Sequence, residues 1–307
     1  MPSNRQLKAK LYTVKNIGQI TKAMQMVSAT KMRKSQEVAL RARPFAKEAL
    51  ALLSDLVQHE ETREQKSIFF VEPKAQKICL IVATSDKGLA GSFNSQILRL
   101  ASQWMQQTED VDVVSVGRKG RDYFRRRGIV PVAEFFSFSD IVTLHDAAPL
   151  SEWVLSAFEK GRYKRVMVAS TQFFSALVQK PDIRQILPLD MEELEDAVKN
   201  IIPKTGKYAD WKSEEGEAEG HSHLLEPSPE DILQTLVRDL VQVQILHYVF
   251  ESNASEHSSR MVAMKSATDN AKEVQEELQL QLNKARQASI TQELTEISTA
   301  KEALSKD

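Results

Sequence analysis

From residue 231 to residue 307 the chain contains neither Gly nor Pro. No other feature constrains the fold as strongly, because those two residues end helices and nothing else in the stretch does. The preceding Pro229, Glu230 and Asp231 suit a helix start, where acids meet the positive end of the macrodipole. Apolar or small residues then recur at steps of three and four: Leu236, Leu240, Val243, Leu246, Phe250, Ala254, His257, Met261, Met264, Ala267, Ala271, Val274, Leu278, Leu282, Ala285 and Ala288. A helix of that length measures on the order of 110 Å. Globular helices average about three turns, so this one needs a partner along its length.

The amino-terminal end supplies one. Between residues 3 and 43 the only breaker is Gly18, with Pro44 the next expected interruption, and Leu7, Leu11, Val14, Ile17, Met24 and Val27 fall on one face with Ile20 flanking it. Residues 1–43 carry ten Lys or Arg against the single acid Glu37, although the whole chain has a formal charge of −1. An electrostatic partner is therefore local to this end. Chain ends that meet across a central domain predict an antiparallel pair, with Ala267, Ala271, Ala285 and Ala288 allowing close approach. Met24, Met261 and Met264 fill its gaps.

Between the two helices the period changes. "KICLIVA", "VDVVSV" and "KRVMVAS" are short, β-branched apolar runs of the kind that form buried strands. Helical segments "SFNSQILRLASQWMQQ", "GRKGRDYFRRRG" and "LSEWVLSAFEKG" separate them, and that alternation predicts an α/β layer with parallel pairing. "FFSALVQKPDIRQILPL" reads as a hairpin or edge pair turned by Pro181. The expected organisation is an amino-terminal helix over 1–60, an α/β domain over 75–190, an acidic loop and foot over 200–229, and a long helix over 230–307.

Candidate chemistry is sparse. "TSDKGLAGSFN", residues 84–94, is a Gly-containing turn between strand and helix, but Gly88 and Gly91 are separated by two residues with no following Lys. That spacing fits neither a P-loop nor a dinucleotide fingerprint. Ser85 and Asp86 have no triad context, and His221 and His223 lie in the acidic loop without Cys partners. The basic run at 118–127 reads as a solvated helix face. Cys79 is the only cysteine, which excludes an internal disulfide, and its apolar run makes it a buried strand residue. No apolar run approaches the roughly 20 residues that span a bilayer, and the start lacks the apolar core of a secretory signal. The expectation is a cytoplasmic chain with no catalytic centre, no metal and no cofactor. Two rivals stay open on these grounds: a small-molecule enzyme with a helical dimerisation arm, and a coiled-coil scaffold.

Four stretches, in order, carry a resemblance: "ITKAMQMVSATKMRKSQ", "TSDKGLAGSFN", "SEHSSRMVAMKSATDNAKE" and "NKARQASITQELTEI". Together they resemble the γ subunit family of F-type ATP synthases, bacterial forms in particular. The family's usual "GLCGG" stands here as "GLAGS" with Ala90 and Ser92, and the cysteine pair of chloroplast forms is absent. The resemblance implies a long antiparallel two-helix coiled coil with a central Rossmann-like α/β domain. It implies a rotor shaft inside a hexamer of α and β subunits, driven by a proton-powered c-ring, at the cytoplasmic face of the bacterial inner membrane. Nucleotide sites then belong to α and β, and neither nucleic acid nor a cofactor is a partner. Residue by residue, Lys22, Met24, Arg260, Gln287 and Thr291 match positions that meet the α and β hexamer. Leu225 and Glu226 of "HLLEPSPED" match the foot that meets ε and the c-ring.

Overall fold

The computed structural model describes residues 4–58, 68–136, 144–190 and 228–304. Helix α1 spans Asn4–Gln58. After a short 3-10 turn at Ile68–Phe70 come β1 (Ile78–Ala83), α2 (Phe93–Gln107), β2 (Val111–Val116), α3 (Arg118–Arg125), β3 (Ala133–Phe135), α4 (Leu144–Glu159), β4 (Arg165–Phe173) and β5 (Gln179–Leu187). Helix α5 closes the chain over Pro229–Leu304. Contacts divide the chain into two units, Met1–Val27 with Met261–Asp307, and Ser28–Arg260.

The larger unit is built on one sheet of order β3-β2-β1-β4-β5. Strands β1, β2, β3 and β4 pair in parallel, while β5 returns antiparallel on β4. Side chains alternate at period two, so Cys79 and Ile81, Val114 and Val116, and Val166 and Val168 share one face. That face is covered by Leu150, Val154 and Phe158 of α4 and by Leu233, Val237, Leu240 and Val241 of α5. Leu80, Val82 and Val113 point the other way, onto Ile97 and Ala101 of α2 and Phe124 of α3. Apolar helices on both faces explain why the central strands are apolar throughout rather than alternating.

Two expectations about this unit are corrected. Pro181 does not turn the hairpin: it sits inside β5 opposite Thr171, on an edge strand where a missing N–H costs nothing. The turn lies at residues 174–178, where Ser175 Oγ accepts from the N–H groups of Leu177 (3.3 Å) and Val178 (3.1 Å). Nor does Pro44 interrupt α1, whose helix runs through it. Strand β3 is an addition, too short at three residues to show a period.

In the smaller unit the parts of α1 and α5 that it contains run antiparallel. A Cβ built on Gly18 would stand 3.5 Å from Ala271 Cβ, and Thr268 Oγ1 donates to Thr21 Oγ1 at 2.8 Å. Three residues up one helix are three residues down the other. The buried or half-buried positions include Leu7, Leu11, Val14, Gly18, Thr21 and Gln25 on α1 and Met264, Thr268, Ala271, Gln275, Leu278, Leu282 and Ala285 on α5, with Met24, Met261 and Ala267 half-buried beside them. Steps of four and three alternate, the signature of a heptad seam. This corrects the expected stripe: Ile17, Ile20 and Val27 are exposed, as are Val274 and Ala288. At Gly18, Thr21, Thr268 and Ala271 the seam is small or polar because short side chains let the backbones approach closely, and Ile17, Ile20 and Val27 are left exposed.

Candidate partner-contact surface

The stretch "SEHSSR" at 255–260 looks like coiled-coil face in the sequence but does something else. Ser255 Oγ donates to Thr171 O at 3.1 Å, Ser258 Oγ to Ala176 O at 2.7 Å, and Ser259 Oγ to Gln179 Oε1 at 3.1 Å. Gln179 Nε2 donates back to Ser258 Oγ at 3.3 Å. Arg260 donates to Gly88 O at 3.3 Å and Lys87 O at 3.4 Å, and to Glu256 Oε1 at 2.6 Å. Buried loop carbonyls need donors, and these short side chains supply them. Burial pushes the Glu256 carboxyl up while Arg260 opposes the shift. The stretch therefore fastens the helix to the β4–β5 turn and to the loop after β1.

That placement decides what the α/β unit can bind. In open α/β sheets ligands sit beyond the carboxyl ends of the strands where the order reverses, here between β1 and β4. Ser255, Ser258 and Arg260 stand on the segments that leave those strand ends. The "TSDKGLAGSFN" loop is occupied as well: Ser85 N–H donates to Asn94 Oδ1 (3.0 Å), Asn94 Nδ2 to Ser85 Oγ (2.7 Å), and Ser85 Oγ to Lys87 O (2.6 Å). Asp86 Oδ1 accepts from Arg118 N–H at 3.0 Å. Gly117, at φ +88°, lies so close to β1 that a Cβ there would be 2.2 Å from Thr84 O. These loops at the strand ends are thus held by the protein's own hydrogen bonds. Among the described residues no group of three or more His, Cys, Asp or Glu is placed to hold a metal ion.

The residues expected at partner contacts fall in different settings. Lys22 is exposed and Met24 half-buried on α1, and Gln287 and Thr291 are exposed on α5, one turn apart, with Thr291 Oγ1 donating to Gln287 O at 3.0 Å. Arg260 is only 7% exposed and spends its guanidinium on its own chain. Leu225 and Glu226, like His221, His223 and the acidic loop, lie outside the described residues. Sequence reasoning missed a larger feature: from Arg286 to Lys301 every residue but Ser289 is exposed. In the antiparallel register Ala285 falls opposite Asn4, the first described residue of α1, and among the described residues no element covers this part of α5. Its apolar residues Ile290, Leu294 and Ile297 are 46%, 62% and 66% exposed. Local hydrogen bonds support it, including Gln292 Nε2 to Glu296 Oε1 at 2.9 Å and Thr295 Oγ1 to Thr291 O at 2.8 Å.

The α/β unit and, by itself, the antiparallel helix pair define the class: an α/β protein that also carries a two-helix coiled coil. A family model described as ATP synthase matches residues 3–304. The ATP synthase gamma chain of Roseiflexus sp. strain RS-1 is 39% identical over 308 residues, covering 99% of each chain. That of Desulfitobacterium hafniense strain DCB-2 is 36% identical over 305 residues, covering 99% of this chain and 100% of the relative. This chain belongs to the ATP synthase gamma chain family. Its fold matches a chain of the Euglena gracilis mitochondrial ATP synthase with TM-score 0.63 at 20% identity, covering 98% of this chain and 94% of that one. It also matches one from the Tetrahymena thermophila central stalk and c-ring with TM-score 0.58 at 23% identity, covering 81% and 99%.

Proposed function

We propose that this chain is the central rotor shaft of an F-type ATP synthase, a subunit without a catalytic site that couples proton-driven rotation to the catalytic sites of its partners. The observation that carries the reading is the exposed helix 286–301, which no other described residues cover. A single helix in water is marginally stable, and one that turns Ile290, Leu294 and Ile297 outward gains its burial from another chain. A hexamer of α and β subunits would enclose it, with Gln287 and Thr291 as hydrogen-bonding contacts and Lys22 and Met24 meeting the same subunits lower on α1.

The mechanism is differential contact. The faces of α1 and α5 differ around the pair, so each orientation stabilises a different conformation of the surrounding subunits, and turning the pair cycles the catalytic sites in sequence. Arg260 serves as a positioning residue, holding the Gly88 loop against α5. Leu225 and Glu226 are proposed to meet ε and the c-ring. Among the described residues no helix is long and apolar enough to cross a membrane. A seat at the cytoplasmic face of the bacterial inner membrane, reached through the c-ring, follows from this reading.

A small-molecule enzyme on the α/β unit is the alternative, and the engagement of the strand-end loops by Ser85, Asn94 and Arg260 speaks against it. Co-expression with the α and β subunits of the same genome separates the two. The shaft yields a stoichiometric complex whose multi-site ATP hydrolysis depends on this chain; absence of a complex, from α and β shown to be competent, overturns it.

A further inference from the structure

Midway along α5, inside the unit Ser28–Arg260, Gln244, His247, Tyr248 and Glu251 line one side of the helix, and all four are buried. His247 Nε2 stands 3.7 Å from Glu251 Oε2. That carboxyl oxygen, Gln244 Oε1 and Thr171 Oγ1 on β4 have no hydrogen-bond partner among the described residues. Neither the fold nor the shaft needs a buried acid here, and a buried ionised carboxylate with an unsatisfied oxygen is strongly disfavoured.

The groups that face it come from each packed element. On β5, Arg184 Nε donates to Asp182 Oδ2 at 3.0 Å, and its guanidinium also reaches Gln172 on β4. Arg184 favours the ionised Glu251 and Asp182 opposes it. Tyr248 lies beside His247 on α5, ring centroids 5.8 Å apart. On α1, the uncharged Ser35 donates to Asn253 Oδ1 at 2.9 Å, two residues beyond Glu251 on α5. Arg184 is thus shared with Asp182 and Gln172. Burial pushes Glu251 up to about 8, and burial followed by Arg184 pulls His247 down to about 4. Near neutral pH both are uncharged.

The next turn of the same helix carries Ser255 and Ser258, whose hydroxyls fasten Thr171 O and Ala176 O. We propose that Glu251 and His247 form a proton-operated latch between α5 and the β4–β5 hairpin, closed while both are uncharged and loosened when Glu251 gives up its proton. Ionisation would pull water toward the unsatisfied oxygen and pry the ledge that Ser255 and Ser258 hold. Alkaline pH is then a signal that softens the mounting of α5 on the hairpin, whatever the helix contacts beyond it.

The test is amide hydrogen exchange of the full chain between pH 6 and 9.5, each rate divided by its intrinsic value. Opening of residues 179–187 and 244–260 should rise about tenfold per pH unit between about pH 6.5 and 8 and level off above it, as a single-proton linkage requires. Residues 78–83 and 111–116 should not follow. Glu251→Gln, which cannot ionise, should abolish the rise. The same rise in Glu251→Gln overturns the latch. If that variant does not fold, the wild-type profile decides: a flat profile, or a rise shared equally by β1 and β2, overturns it.

Discussion

Thr268 on α5 donates its hydroxyl to that of Thr21 on α1 at 2.8 Å, and Thr21 in turn donates to Gly18 O at 3.1 Å. Together with the approach of Ala271 to Gly18, this polar contact fixes the antiparallel register within the smaller unit. The seam is held there by short side chains, and Ile17, Ile20 and Val27 of α1 are left exposed.

Gly18 is therefore a test of closeness. A methyl at this position meets Ala271 Cβ at ordinary contact distance, 3.5 Å. Gly18→Ala should stabilise the pair by about 0.5–1 kcal/mol through helix propensity. Gly18→Leu should cost about 1–3 kcal/mol by forcing the helices apart. Exchange protection of residues 11–21 and 268–278 reads both.

At the loop after β1, Arg260 replaces a backbone partner for Gly88 and Lys87. Arg260→Ala removes the donor that Gly88 O and Glu256 share, while Lys87 O keeps Ser85 Oγ, and should cost about 2–4 kcal/mol in denaturant unfolding. Arg260→Lys should recover less than half of that, since a single ammonium cannot match the planar fork.

Gly117 and Gly128 both hold positive φ, +88° and +78°, yet differ in space. Gly117→Ala drives a Cβ to 2.2 Å from Thr84 O and should cost more than about 3 kcal/mol or prevent folding. Gly128→Ala meets nothing within 4 Å, and should cost only the left-handed penalty of about 1–2 kcal/mol. Thermal midpoints of the two variants should separate accordingly.

The buried His247 and Glu251 also predict a stability profile. Glu251, raised from 4.5 to about 8, contributes stability that is present below pH 4.5 and lost as pH rises to 8. His247, lowered from 6.5 to about 4, contributes stability that is present above pH 6.5 and lost as pH falls to 4. The contributions offset between 4.5 and 6.5, so this pair gives a flat profile there and a decline from 6.5 to 8. In Glu251→Gln the alkaline decline should vanish, and a new decline should appear as pH falls below 6.5. Urea midpoints across that range measure it.

For coupling, Gln287→Ala with Thr291→Ala should weaken ATP-driven proton pumping and subunit assembly. Asp86→Asn, whose carboxylate serves the Arg118 amide inside the α/β unit, should leave pumping near wild type. Equal pumping by both variants contradicts the assigned contacts.

The sheet was legible because "KICLIVA", "VDVVSV" and "KRVMVAS" are apolar on both faces, which only a doubly covered parallel sheet requires. The long helices were legible from the absence of breakers. What failed was the identity of the buried faces. Periodicity favours Ile17 and Val27 over Gly18 and Thr21, because hydrophobicity registers burial in water but not the spacing between two backbones. The role of "SEHSSR" was hidden for a related reason: its partners are carbonyls of Thr171, Ala176 and Gly88, and backbone atoms leave no mark in a sequence. Pro181 misled because proline signals a turn as readily as an edge strand. Among the candidate contact residues, Gln287 and Thr291 lie on exposed helix, whereas the burial of Arg260 depends on a loop more than 170 positions away.

Rotation itself is the most direct test. Cys79 is fully buried, so a cysteine introduced by Leu177→Cys, at a site 80% exposed on the hairpin turn, can carry a visible probe selectively. In a surface-fixed complex with the α and β subunits, ATP hydrolysis should drive the probe in one direction in discrete steps, at a rate that tracks hydrolysis. Sustained hydrolysis with a stationary probe would contradict the shaft.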